Sequence, residues 1–284
     1  MSPKLYCIVI PALSFCIYSC KADISNKGIQ LSTYAVPKLI NPTIPLEQQV
    51  RACGGGTGFI VRKNGHYFFI TAYHLFSGRL AWDTTMAATN LSNLLPSFAL
   101  INYRRRSGAL DTIGIELKDN NGGNVFFSLP PMPGSRSVVD VACVRLIDGF
   151  PEVTKVDFID FDRLDTNWSI APFSKLIVYG YRGITEPTSA LPIPDTVITE
   201  DESFNYNDSF IFAKRSIPFG GASGAPVYYN HDGVNTFVGM VSTEILCGSA
   251  FYLMFELRGR KSHQLLYEFV SAKTVNRLID ALLF

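Results

Sequence analysis

The chain has no excess of charge of either sign. Its 25 Lys and Arg stand against 24 Asp and Glu, a formal net charge of +1 over 284 residues. No global field therefore draws it to nucleic acid or to an acidic membrane surface. Arg104-Arg105-Arg106 is the one basic run, and it reads as a solvated loop. A disulfide framework is also missing. Of the six cysteines, only Cys53, Cys143 and Cys247 lie beyond the N-terminal segment, so at most one internal bridge can form and one thiol is left over. The cysteine spacing matches no zinc pattern, and the four histidines, His66, His74, His231 and His263, are scattered. Neither a metal nor another cofactor is expected. There is no internal repeat, no low-complexity tract, and no apolar run of the roughly 20 residues that span a bilayer.

Aromatic residues are plentiful at 13%, and charged residues make up only 17%. That balance suits a well-buried globule and excludes disorder. The N-terminus differs from the rest. Lys4 precedes an apolar stretch from Leu5 to Ile17, the length and flank of a secretory signal peptide. Two processing readings stand side by side. Cleavage after Ala22 gives an ordinary exported chain, periplasmic, envelope-bound or secreted. Ile17-Tyr18-Ser19-Cys20 resembles a bacterial lipoprotein box, which would make a lipid anchor at Cys20 the only membrane contact. The expected division is a signal at 1–22, an irregular arm with one strand at most at 23–50, and a single domain at 51–284.

Short β-rich runs fill most of that domain. Cys53-Gly54-Gly55-Gly56-Thr57-Gly58 reads as a glycine turn feeding a strand that ends near Lys63-Asn64-Gly65, a hairpin turn. The glycines do not open a helix, so a dinucleotide loop is excluded. Further strands are expected at 66–72, 97–104, 112–117, 125–129 and 137–146, and then at 175–181, 195–199, 210–213, 225–229, 237–243, 251–257 and 265–270. A connector rich in aspartate separates the two sets. Many short strands between turns indicate a sandwich or barrel. Only the end changes period. Val275, Leu278, Ile279 and Leu282 fall at helical spacing behind Ser271, an N-cap candidate, which predicts a helix over 271–283.

Three local signals carry chemistry. Gly220-Gly221-Ala222-Ser223-Gly224-Ala225-Pro226 places a serine where the backbone must bend sharply and a reactant could come close. Such a turn can aim N–H groups at one point, as a developing oxyanion requires. It can equally be a plain turn before a strand. Thr71-Ala72-Tyr73-His74 closes a strand, and a packed histidine is the ordinary reading there. Asp140 lies inside a β-branched run, where a carboxylate must sit on a rim or hold specific hydrogen bonds. Together they offer a hydroxyl nucleophile, a base and a carboxylate to orient the base.

In that order the three motifs resemble the trypsin/chymotrypsin superfamily of serine endopeptidases. Thr71-Ala72-Tyr73-His74 is similar to its T-A-A-H, Asp140-Val141-Ala142 to its D-[IV]-A, and Gly221-Ala222-Ser223-Gly224-Ala225-Pro226 to its G-D-S-G-G-P. The Gly-Thr-Gly-Phe-Ile-Val opening and the ending Phe269 to Val275 resemble the bacterial Deg-type branch, with no PDZ domain expected. The resemblance implies an all-β fold of two antiparallel six-stranded β-barrels, at about 51–148 and 168–270, with a C-terminal helix. It implies His74 as general base, Asp140 as its orienting carboxylate, Ser223 as nucleophile, and the N–H groups of Gly221 and Ser223 as oxyanion hole. Ile217 falls at the base of the implied substrate pocket, with Ser242, Thr243 and Glu244 along its strand.

The departures also carry information. Ala222 stands where zymogens of the family keep an aspartate that pairs with a newly freed N-terminus, so that activation switch is not expected. Ala225 replaces a glycine and Tyr73 an alanine. The implied function is an exported serine endopeptidase acting on protein or peptide substrates with an uncharged, apolar residue before the cut. The other readings are an inactive protease fold kept as a protein-binding module, since fold does not fix function, and more remotely an unrelated β-rich adhesin.

Overall fold

A computed structural model of the chain describes residues 28–35, 43, 49, 51–81, 84, 95–104, 109–131, 138–147, 156–166, 175–181, 193–199, 210–215, 221–231, 233–245 and 266–283, and only the backbone of 51, 52, 104, 110, 193–199, 210–215, 243–245 and 266–268. The expected signal segment with Cys20, the strand at 251–257, Cys247 and the pocket candidate Ile217 lie outside the described residues.

Two curled, mostly antiparallel sheets follow one another along the chain. The first contains β1 (Ile29–Ala35), β2 (Arg51–Lys63), β3 (His66–Thr71), β4 (Phe98–Arg104), β5 (Leu110–Glu116), β6 (Phe127–Ser128) and β7 (Ala142–Arg145), in the order β5-β4-β1-β2-β3-β7-β6. A two-residue strand, β8 (Ile159–Asp160), adds to β2 in parallel. Six of these strands have four residues or more, and β6 and β8 are short additions. The second sheet closes into a six-stranded barrel: β9 (Lys175–Gly180), β10 (Ile193–Thr199), β11 (Phe210–Arg215), β14 (Leu266–Ser271), β13 (Val234–Ile245) and β12 (Pro226–His231). The helix α2 (Ala272–Leu283) follows. The fold is thus all-β with a C-terminal helix, the two-barrel arrangement implied by the motifs.

Local chemistry explains the elements. Asn64 and Gly65 both adopt positive φ, at 51° and 76°, the backbone that a two-residue hairpin needs to match strand twist. At the far end, Ser271 Oγ accepts the Thr274 N–H at 3.2 Å and caps α2. The stripe of Val275, Leu278 and Ile279 is buried in the same apolar cluster as Phe59, Phe68 and Phe69 of the first sheet. The helix therefore returns from the second sheet to the first. Lys63 Nζ, beside the hairpin, fastens it by bonding Asn276 Oδ1 at 2.7 Å and the Asp280 carboxylate.

Two expectations about the start of the chain change. Residues 29–35 are an internal strand, paired on one side with β2 and on the other with β4. The glycine run 54–58 is part of β2, paired in register with β1, rather than a turn. Glycine is required there by close approach. A Cβ on Gly56 would sit 2.5 Å from Leu75 Cδ1 and 2.7 Å from the Ser223 carbonyl oxygen, and one on Gly58 would sit 2.2 Å from the Phe69 ring.

Candidate active site

The first sheet ends its β3 strand at Thr71, and the chain turns at once into the short helix α1 (Tyr73–Ser77). His74 therefore lies on a helical turn, not at a strand end. α1 has no side-chain cap: Ala72 is its N-cap residue, in extended conformation. Backbone N–H groups in a first helical turn lack an intrahelical acceptor. The His74 N–H finds one in Asp140, donating to Oδ1 at 2.9 Å. The His74 ring lies along the same carboxylate, with Nδ1 2.8 Å from Oδ2. Two contacts thus fix both the backbone and the ring of His74 on a single acid. Leu75 and Phe76 pack the other side of the turn into the core.

Asp140 is 3% exposed. It stands just before β7 on a tight turn, in which the Val141 N–H donates to the Val139 carbonyl at 2.7 Å. This turn takes Asp140 out of the strand ladder and aims its side chain at α1. A third donor arrives from the second barrel: Ser242 Oγ gives its proton to Oδ2 at 2.9 Å. A buried carboxylate needs such donors to stay charged. The sequence placed Ser242 on the wall of the substrate pocket. The structure instead buries its side chain completely against Asp140. The cause is a register shift in β13 between Val241 and Thr243, a bulge that redirects one side chain. Thr243 and Glu244 follow on the same strand, and their side chains are outside the described residues.

The His74 pKa reflects two opposed effects. Burial of the imidazole works to lower it. The Asp140 charge and its hydrogen bond work to raise it, and they prevail, so it stands above the ordinary 6.5. Another acid of the first sheet, Asp111, lies on β5 and accepts the Tyr103 hydroxyl at 3.1 Å. β5 is the end strand of the sheet, four places from β3, so Asp140 is the acid paired with His74.

Ser223 enters from the second barrel, in the turn 221–225 before β12. Gly221 and Gly224 have φ of 89° and 82°, values that other residues seldom adopt. Three carbonyls of the turn, and one of its N–H groups, are held as follows. Gly221 O accepts from Thr57 Oγ1 at 2.9 Å and Ser223 O from the Thr57 N–H at 2.9 Å. Ala222 O accepts from the Ala225 N–H at 2.8 Å, and the Gly224 N–H donates to Val241 O at 2.7 Å. In a trans peptide the C=O and N–H point in opposite directions. Fixing the Ala222 carbonyl toward Ala225 therefore turns the Ser223 N–H to the opposite side, where it meets no acceptor among the described residues. The Gly221 N–H likewise meets none among them. Ser223 Oγ makes no hydrogen bond to His74. Ala222 is buried in an apolar cluster with Leu176, Val178, Val227 and Phe269, and Tyr73 packs edge-on against Phe126.

The sequence reading assigns no role to Thr57, and it places Ser242 in the pocket rather than at Asp140. Both act through contacts across the chain, 164 residues for Thr57 to Gly221 and 102 for Ser242 to Asp140. The only local sign for Thr57 was a β-branched hydroxyl residue between two glycines.

No family model and no curated protein matches the chain. Among solved structures it is similar to the protease Anisep from Arthrobacter nicotinovorans, at 11% identity and a TM-score of 0.47, over 87% of this chain and 90% of that one. It is also similar to a thermostable serine protease from an extremophilic microorganism, at 9% identity and a TM-score of 0.44, over 87% and 91% of the two chains. A third likeness is to a mutant of human heparin binding protein, at 14% identity and a TM-score of 0.47, over 89% and 90%. These likenesses concern the overall course of the chain, and the fold assignment rests on the strand pairing described above.

Proposed function

We propose that the chain is an exported serine endopeptidase working through Ser223, His74 and Asp140. The observation that carries this reading is the double hold of buried Asp140 on His74, through the backbone N–H and through Nδ1. With Nδ1 committed to the acid, Nε2 is the nitrogen left to act as base. In the proposed cycle Nε2 takes the Ser223 hydroxyl proton as Oγ bonds to the scissile carbonyl carbon. The carbonyl oxygen becomes an oxyanion facing the N–H groups of Gly221 and Ser223. The C–N bond then breaks, and the amine leaves with the proton returned by His74. Water hydrolyses the resulting ester by the same route. The primary pocket, proposed from Ile217 at its base with Thr243 and Glu244 along its strand, takes an uncharged, apolar side chain: a cation buried against Ile217 would have no partner there, which is strongly unfavourable, and Glu244 at the rim, in water, offsets only about 0–1 kcal/mol of that. The lack of a Ser223–His74 hydrogen bond favours one other reading, a protein-binding module on the same fold. In a free enzyme, however, such bonds are often long and tighten only with substrate.

A fluorophosphonate probe separates the two. Its phosphorus bonds to an activated serine Oγ and releases fluoride. Wild-type protein should be labelled, and Ser223→Ala should not. Intact wild-type protein that stays unlabelled, and that cleaves no member of a mixed peptide library, would decide for the binding module.

A further inference from the structure

The proposed chemistry uses only the ends of two barrels, yet one fully buried residue bonds to both. Thr57 is 0% exposed, and all of its polar groups are engaged. Its hydroxyl donates to Gly221 O at 2.9 Å and accepts the Tyr181 N–H at 3.0 Å. Its N–H donates to Ser223 O at 2.9 Å. Its carbonyl accepts from Thr71 Oγ1 at 2.7 Å, and Thr71 is followed directly by Ala72, the N-cap residue of α1. Three segments therefore meet at one residue: the serine turn at two points, the end of β9, and the strand that delivers His74. There is no slack around it. A Cβ on Gly224 would lie 2.0 Å from Thr57 O and 2.4 Å from Thr71 Oγ1.

We infer that Thr57 is a positioning residue, and that its hydroxyl holds the peptide linking the two N–H donors of the proposed oxyanion hole. This inference rests on the endopeptidase reading and deepens it. Gly221 has the permissive φ of a glycine, so nothing in its own backbone preference stops the peptide at 221–222 from rotating. The hydrogen bond from Thr57 Oγ1 supplies the missing constraint. The Tyr181 N–H aims that hydroxyl, because it occupies a lone pair and leaves the proton directed at Gly221 O. The main-chain bond to Ser223 O needs no side chain and would survive substitution. The hydroxyl therefore governs only the linking peptide 221–222, and through it the alignment of the flanking Gly221 and Ser223 N–H groups, so its loss should be felt where the oxyanion forms rather than where the ground-state peptide binds.

The test compares Thr57→Val, which keeps the shape and drops the hydroxyl, with Thr57→Ser, which keeps the hydroxyl. On a peptide cleaved by wild-type protein, Thr57→Val should lower kcat by about 10- to 100-fold, below the effect of deleting an oxyanion donor outright. KM should stay within about 3-fold, and Thr57→Ser should remain within about 3-fold of wild type in both. A peptide boronic acid, whose boron takes a lone pair from Ser223 Oγ to give a tetrahedral adduct, should bind Thr57→Val more weakly by the same factor that kcat/KM falls. If Thr57→Val does not fold, Thr57→Cys serves in its place, with a kcat between those of the Ser variant and the Ser223→Ala background. Wild-type kcat in the hydroxyl-free variant, a loss confined to KM, or a Ser variant as slow as Val or Cys would each overturn the inference while leaving the endopeptidase reading intact. Wild-type protein that neither cleaves peptides nor takes up the fluorophosphonate would overturn both.

Discussion

At the scale of single residues, the site turns on one carboxylate with three donors. Asp140 serves the His74 N–H, His74 Nδ1 and Ser242 Oγ at once. Asp140→Asn should keep the fold, since the amide fills the same space, but it reverses the donor pattern toward Nδ1 and selects the wrong tautomer. Peptide turnover should fall by about 10⁴-fold, as loss of an orienting carboxylate does in such triads. Near wild-type turnover would remove Asp140 from the mechanism. The same variant tests the pKa balance. His74 is raised above 6.5 in the wild type because Asp140 outweighs the opposing effect of burial. The neutral imidazole is the base, so kcat/KM should rise with pH through a midpoint above 6.5. In Asp140→Asn only burial remains, and the His74 titration followed by NMR should move below 6.5. The sign for stability follows from the same shift. Because folding raises this pKa, the charged pair contributes stability that is fully present below about pH 6.5 and is lost as pH rises through the folded value.

At the scale of elements, glycines separate two kinds of constraint. Gly65 in the β2–β3 hairpin has φ 76° with nothing within 4 Å of an added Cβ, whereas Gly224 combines φ 82° with a backbone oxygen 2.0 Å away. Gly65→Ala should therefore cost about 1–2 kcal/mol of backbone strain and leave turnover unchanged. Gly224→Ala should exceed about 4 kcal/mol, the range in which a named steric mechanism is needed, and should abolish activity. Equal losses in thermal midpoint would show that the Thr57 carbonyl can move aside. The elements also show what was legible beforehand. The hairpin, the described strands after 175 and α2 could be read because their signals are local: Asn64-Gly65, short β-rich runs between turns, and a helical stripe behind Ser271. His74, Asp140 and Ser223 stood out because triad chemistry demands particular residue types in short motifs. β1 was not legible as an internal strand. Gln30, Ser32 and Thr33 are polar yet buried, so the strand is covered on both faces while its residues show no apolar alternation to mark it. The glycines of β2 hid a strand for a similar reason, because their role is to admit Leu75, Phe69 and the serine turn.

At the scale of the whole molecule, the proposed site belongs to neither barrel alone. His74 and Asp140 come with the first sheet, Ser223 and Ser242 with the second, and the bonds from Thr57 and Ser242 cross between them. Between the two sheets, Phe237 of β13 joins Phe59 of β2 at a centroid distance of 5.2 Å, and it also meets Phe161 at 5.7 Å and Tyr228 at 5.9 Å. Phe237 is only 2% exposed, so Phe237→Ala should destabilise by about 3–5 kcal/mol through lost burial and the cavity left behind. Ile101→Ala on β4, 1% exposed but within the first sheet, should cost about 2–5 kcal/mol by the same route. The two variants should differ in function at temperatures where both remain folded by circular dichroism. Loosening the aromatic contact lets one sheet shift against the other, and a misplacement near 1 Å at reacting groups can cost about 10²-fold in rate. Phe237→Ala should therefore lose kcat well beyond its unfolded fraction, whereas Ile101→Ala should lose only that fraction. Parallel losses of stability and rate in both variants would mean that the aromatic cluster contributes to burial alone and that the hydrogen bonds across the two barrels suffice to hold the register of the site.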